Sequence, residues 1–342
     1  MRLRRIFRLC QAAAVTGAVL STTVSVIGQA QRPAKASAAP EKKWTPPRAV
    51  NGQPDLQGVW SFATITPLER PAELAGKAVL TPEEAAAWEK QVIARENKDS
   101  RSDNKTADVS AAYNDFWWDR GTKVVGTRRT SLIVDPPDGR IPPLTAEAQQ
   151  RAATRAAIRG RLAQGPEDRP AAERCIIGFN AGPPMIPSAY NNNVQIFQTA
   201  DHVAIFNEMI HEARIVPLET TAHIGRGIGL WRGDSRGHWE GDTLVVDTTN
   251  FNDDARVSYD TPASATLHVV EKFTRVDANT LLYEFTVEDP ATWTKPWSGQ
   301  IPMVKTSDKI YEYACHEGNY AMEHMLSGAR SVEKAAAAGG RK

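Results

Sequence analysis

Residues 266–289 read TLHVVEKFTRVDANTLLYEFTVED, and the fold turns on how they are read. Leu281, Tyr283, Phe285 and Val287 share one face of an extended chain, and Leu282, Glu284, Thr286 and Glu288 share the other. Strand side chains alternate with a period of two, so this pattern is a strand with one buried face. Val276-Asp277-Ala278-Asn279 is a turn sequence linking it to TLHVVEKFTRV. Strands joined by so short a link pair antiparallel.

The same signature recurs along the chain. GVWSFA, TSLIVD, NVQIFQTA, HVAIFNEM, EARIVPL, DTLVVDTTNF and KIYEYAC are rich in Val, Ile, Thr, Phe and Tyr. Ala200-Asp201 and Pro136-Pro137-Asp138-Gly139 supply further hairpin links. The expected fold is mainly β: an antiparallel meander closed as a barrel or stacked as a two-layer sandwich, since either removes exposed edges. HVAIFNEM mixes apolar and polar groups on both faces, as a strand beside a polar cavity or an edge strand does.

Two peripheral helices interrupt the strands. LTPEEAAAWEKQVIAREN has Thr81 as N-cap, Pro82 at the first position and Glu84 closing a capping box. LTAEAQQRAATRAAIRGRLAQ starts alike at Thr145, but its Ala, Arg and Gln content places it on the surface.

Residues 1–30 have the pattern of a secretory signal peptide: Arg2, Arg4, Arg5 and Arg8, an apolar run, then Gly28-Gln29-Ala30. Export predicts a periplasmic or secreted protein without stable membrane insertion after cleavage. Residues 31–53 read as a flexible lead-in, 54–330 as a single β-rich domain with helical insertions, and 331–342 as a disordered tail. Losing four arginines and no acid takes the formal charge from +1 to −3. A mildly acidic chain without a basic block argues against nucleic acid as a partner and leaves a small-molecule ligand. Cys175 and Cys315 remain after cleavage, and in an oxidising compartment a lone pair predicts one disulfide.

Ionisable groups concentrate between Glu208 and Asp247. Acid–base chemistry needs a His or carboxylate with a shifted pKa and a partner to orient it. Glu208 with His211 is one candidate pair, Asp234 a second acid or base, and His316 in IYEYACHEGNY a third. Arg214, His223, Trp231 and Arg236 are candidate ligand contacts in the same region. Hairpin loops as rich in Gly, Asp and Ser as RGDSRGHWEGDTL also occur without any chemistry. In AYNDFWWDRG, adjacent Trp117 and Trp118 cannot both enter a core, so one is expected to line a groove, with Arg120 beside them. Trp293 and Trp297 are candidates for another wall of that groove. Arg128 and Arg129 are candidates for holding an anionic group, and Tyr190 and Asn191 for a pocket rim.

His211, His223 and His316 lack metal-site spacing, so no metal is expected. The chain has no phosphate loop, no Gly-x-Ser-x-Gly elbow, no CxxC and no dinucleotide fingerprint, so no cofactor is expected either.

Gly58-x-Trp60 in LQGVWSF resembles the opening of lipocalin-like barrels. TSLIVDPPDGRIPPLT, WRGDSRGHWEGDTLVVDTTNF and IYEYACHEGNYAM together resemble an uncharacterised family of exported, β-rich proteins from environmental bacteria. That resemblance implies export and a β-rich fold and carries over no catalytic residue. The functional expectation is an exported enzyme performing lyase, hydratase, isomerase or hydrolase chemistry on a sugar-like or aromatic ligand. The alternatives are a periplasmic carrier without turnover and an envelope structural protein.

Overall fold

The computed structural model describes residues 44–101, 103–106, 108, 114–218, 222–257 and 263–339. The expected signal peptide and most of the lead-in fall outside them, as do residues 340–342 of the tail.

Ten strands form one antiparallel sheet: β1 (Gly58–Ser61), β2 (Ile133–Asp135), β3 (Asn193–Gln198), β4 (His202–Asn207), β5 (Glu212–Pro217), β6 (Asp234–Glu240), β7 (Thr243–Thr249), β8 (His268–Arg275), β9 (Thr280–Glu288) and β10 (Trp297–Thr306). Nine run in the order β5-β4-β3-β1-β10-β9-β8-β7-β6, and β2 pairs with β10 beside that path. The order curls into a nearly closed barrel. The two ends of the path meet at Gly237 of β6, where a Cβ would stand 2.9 Å from Val216 Cγ1 of β5. Absence of a side chain at that position lets the two edges pack closely.

Leu281, Tyr283, Phe285 and Val287 all point into the barrel and are buried, as their alternation predicts. From β8, Val269, Glu271 and Phe273 join them, and from β10 Trp297, Ile301 and Met303. Gly299 opposes Phe285 across the β9–β10 ladder. Trp297 and Trp293 pack edge-on in this core, with centroids 5.8 Å apart, so neither forms a wall of a ligand groove. Their apolar bodies fill the barrel instead of lining a cavity, because small barrels close on their own side chains.

A buried polar network crosses the inside of the barrel. Arg214 of β5 forms a two-pronged ion pair with the fully buried Glu271 of β8. Tyr283 Oη donates to Glu271 Oε1 at 2.8 Å and accepts from Met185 N at 2.9 Å. β4 is not an edge strand, because it pairs with both β3 and β5. Its inward Asn207 donates to Ala181 O at 3.0 Å, and its outer His202 and Phe206 face solvent in part.

β10 does not read as a strand in the sequence because Pro302 and Gly299 interrupt it. Pro302 is tolerated because it sits between the stretches of β10 that pair with β2 and β1. Gln300 N, two residues earlier and on the same side, donates to Leu132 O at 2.9 Å. Pro302 therefore withholds an N–H from a side where no strand waits for it. Conversely, KIYEYAC forms no strand; residues 307–314 run without ladder partners.

Helix α1 (Pro82–Arg95) has both bonds of its capping box and buries Ala85, Trp88 and Val92. Helix α2 (Ala146–Gly160) is capped by Thr145 and buries only Ala148, as a surface helix does. A third helix, α3 (Ala321–Gly339), replaces the expected tail over residues 331–339. Ala335–Ala338 favour helix intrinsically, and upstream Ala329 is buried while Arg330 donates to the carbonyls of Ala163 and Gln164. The part of the lead-in from Trp44 is ordered too, with an antiparallel bridge between Arg48 and Pro54. A disulfide joins Cys175 to Cys315 across 140 residues and ties the unpaired 307–320 segment to the loop before β3.

Candidate functional site

The last residue of β4 is Asn207, and Glu208 begins a tight turn in which Ile210 and His211 adopt positive φ of 58° and 57°. That turn keeps the buried Glu208 at the strand end, beside β3. Its Oε2 accepts from Asn193 Nδ2 at 2.9 Å, and its Oε1 accepts from Tyr311 N at 3.3 Å. Both carboxylate oxygens are thereby oriented.

A second carboxylate arrives from the AYNDFWWDRG stretch. Asp119 N donates to Ala189 O at 2.8 Å, and Asp119 O accepts from Asn192 Nδ2 at 2.7 Å. Asn180 Nδ2 in turn donates to the carbonyls of Tyr190 and Asn191, both at 3.1 Å. These asparagine bonds hold the irregular SAYNNN turn against Asp119. Asn191 itself takes a φ of 54°, a left-handed conformation to which Asn is well suited.

Asp119, Glu208 and Asp308 converge on one cleft of about 500 Å3, walled by the rings of Trp117, Tyr190, Tyr311 and Tyr313. Asn191, Asn193 and Lys309 complete it. Burial pushes the Asp119 carboxyl above its ordinary value, and the negative charges of Glu208 and Asp308 push it the same way. Desolvation and neighbouring like charges both favour the protonated form of a carboxyl, the shift that proton-donating sites use.

The cleft thus collects Glu208, Trp117, Tyr190 and Asn191 from the residues singled out by sequence, and the other candidates lie elsewhere. His211 is exposed and packs edge-on against Phe206, with centroids 4.6 Å apart. Its ring has no bond to the Glu208 carboxylate, because the positive-φ turn directs the two side chains apart. His316 is exposed in a turn, so strand alternation does not orient it. Arg214 is enclosed in the barrel on Glu271.

Asp234 and His223 belong to a chain of bonds on the outside of the barrel. His223 Nδ1 lies 2.9 Å from Asp234 Oδ2, and Arg236 donates to Asp234 Oδ1 at 2.6 Å. Trp118 is flanked by Lys98 and Arg120, at 4.6 and 5.2 Å from its ring. Arg129 sits half-buried, its pKa lowered by burial and by Arg70. Trp231 lines a separate arginine-rich groove. Among the described residues, no group of three or more His, Cys, Asp or Glu is placed to hold a metal ion.

Sequence reasoning passes over Asp119, Asn193, Asp308, Lys309, Tyr311 and Tyr313 as site residues. One signal was present. Lys309, Tyr311 and Tyr313 alternate, and all three face the cleft. Their period of two marks an extended chain that presents one side to a ligand instead of to a core. Comparison with protein-family models, curated proteins and solved structures finds no match to this chain.

Proposed function

We propose that this protein is an exported enzyme that cleaves a C–O bond in a small sugar-like ligand held in the Asp119–Glu208 cleft. The observation that carries the reading is the Asp119 carboxyl, driven toward its protonated form beside the hydrogen-bonded Glu208. Two carboxyl groups in unequal environments supply an acid for the leaving oxygen and a base for water or for a ring proton. Hydrolysis and elimination both need that division of labour. Trp117, Tyr190, Tyr311 and Tyr313 suit the apolar side of a sugar ring, and Asn191, Asn193 and Lys309 among the lining residues supply polar groups that suit its hydroxyls. Export is supported by the signal-like residues 1–30 and by the Cys175–Cys315 disulfide, a bond that persists in oxidising compartments.

The test is turnover of a panel of nitrophenyl glycosides and glycuronides by the mature chain, with ligand affinity measured in parallel. Asp119→Asn and Glu208→Gln should each lower kcat by about 10²- to 10⁴-fold, the usual contribution of a general acid or base, while affinity survives. A ligand that binds the parent saturably and is never turned over makes the protein a carrier. Trp117 and Tyr311, 59% and 69% exposed, favour that second reading, because accessible rings serve capture as well as catalysis.

A further inference from the structure

A groove distinct from the Asp119–Glu208 cleft lies between the C-terminal half of α2, residues 167–174 and the loops at 231 and 254–256. Five arginines face it: Arg155, Arg159, Arg169, Arg174 and Arg256. Three carboxylates, Glu167, Asp168 and Asp254, line it as well, which leaves a formal excess of two positive charges. Asp168 is already engaged by Arg161 from outside the groove, at 3.0 and 3.2 Å. The C-terminal end of α2 carries roughly half a negative charge, enough to balance part of one arginine.

Arg256 has a partner of its own, but the other arginine donors are not all used up within the fold. Arg169 is answered by Glu173 at 2.8 Å. Arg155 Nη2 donates to Asp253 O at 2.6 Å and stands 3.7 Å from Asp254 Oδ1, while its Nη1 is buried with no hydrogen-bond partner among the described residues. Arg159 and Arg174 make no side-chain hydrogen bond or ion pair among the described residues. A buried donor without an acceptor is a cost that an incoming oxygen removes. The groove encloses about 120 Å3. At about 30 Å3 per water that is room for roughly four waters, or one tetrahedral oxyanion.

We propose that this groove binds a small oxyanion group of two negative charges, the chemistry of a phosphate, with Arg155, Arg159 and Arg174 as its principal donors and Trp231 closing one side. Guanidinium groups suit such a ligand because their fixed forks match its paired oxygens.

Titration calorimetry of inorganic phosphate into the mature protein at low ionic strength tests the assignment. The parent should bind one phosphate saturably, and Arg159→Gln with Arg174→Gln should weaken it about tenfold or more, the scale of losing a charge-assisted bond. Asp119→Asn should leave phosphate affinity unchanged, which keeps this result separate from the enzymatic reading. If the double variant does not fold, Arg159→Gln alone, at an exposed helix position, is read in its place. Succinate displaces phosphate if a dicarboxylate shares the site; failure to displace it restricts the site to tetrahedral oxyanions, and either result keeps the assignment. No saturable binding at millimolar phosphate, or an affinity untouched by the arginine changes, overturns it.

Discussion

His268 Nε2 lies 2.6 Å from Asp247 Oδ2, and the other oxygen of that carboxylate lies 2.8 Å from His223 Nε2. With Asp234 beyond His223, four side chains from β6, β7, β8 and the 222–233 loop are bonded in series on the outer barrel wall.

The hydrogen bond to Asp247 raises the pKa of His268 above 6.5, and the bond from His268 lowers that of Asp247 below 3.8. A raised histidine contributes stability that is complete below 6.5 and is lost as pH climbs through its folded value. A lowered aspartate contributes stability that is complete above 3.8 and is lost as pH falls through its folded value. Both contributions are present together between those limits. Tm measured from pH 6 to 9 should therefore decline in the parent and decline less in His268→Gln. Both groups are about one-third exposed, so the difference should be about 1 kcal/mol or less. Parallel curves for parent and variant count against the coupling.

Inside the barrel, Glu271→Gln leaves Arg214 buried without its counter-charge. Breaking such a pair costs about 3–5 kcal/mol, whereas replacing both members by apolar residues costs far less. Urea unfolding should show Glu271→Gln as the less stable protein and Arg214→Met/Glu271→Leu as partly restored. A double variant at least as unstable as the single one would contradict this.

Gly299 is required by its neighbour. A Cβ there would stand 2.3 Å from Phe285 Cζ, so Gly299→Ala should destabilise by about 1–3 kcal/mol. Adding Phe285→Leu to that variant should recover part of the loss, measured by thermal unfolding. Gly299→Ala at parental stability would mean the ring can move aside.

The disulfide anchors the segment that supplies Tyr311 and Tyr313 to the cleft. Closing 140 residues contributes about 5 kcal/mol by loop-closure entropy. Cys315 follows Tyr311 and Tyr313 directly, so Cys175→Ser/Cys315→Ser should lower Tm and also weaken ligand binding in the cleft. A drop in Tm with binding unchanged would confine the bridge to a structural role.

Asp308 is expected to tune Asp119. Its negative charge helps to raise the Asp119 carboxyl, so Asp308→Asn should bring that carboxyl down. The basic limb of the pH–rate profile should then move to lower pH, and Asp119→Asn should abolish it. A limb that stays in place in Asp308→Asn would assign the titration to another group.

The amino-acid sequence by itself determined the strands that alternate cleanly, the two capped helices and the cysteine pair. Alternation at Leu281, Tyr283, Phe285 and Val287 and the Thr81–Glu84 box are local signals, written within a few residues of one another. β10 was illegible because Pro302 breaks the strand pattern, and only the gap between β1 and β2 makes it acceptable. Helix α3 is helical partly by composition, but it needs the carbonyls of Ala163 and Gln164 to hold Arg330.

The site depended on tertiary structure still more. Glu208 and His211 are three positions apart, yet the intervening turn directs their side chains to different places. Asp119, Glu208 and Asp308 are separated by about a hundred residues at each step, and the barrel with its surrounding loops brings them to one cleft. Charges that raise the pKa of Asp119 act through space, so their proximity is decided by strand order and by the disulfide-tied 307–320 segment.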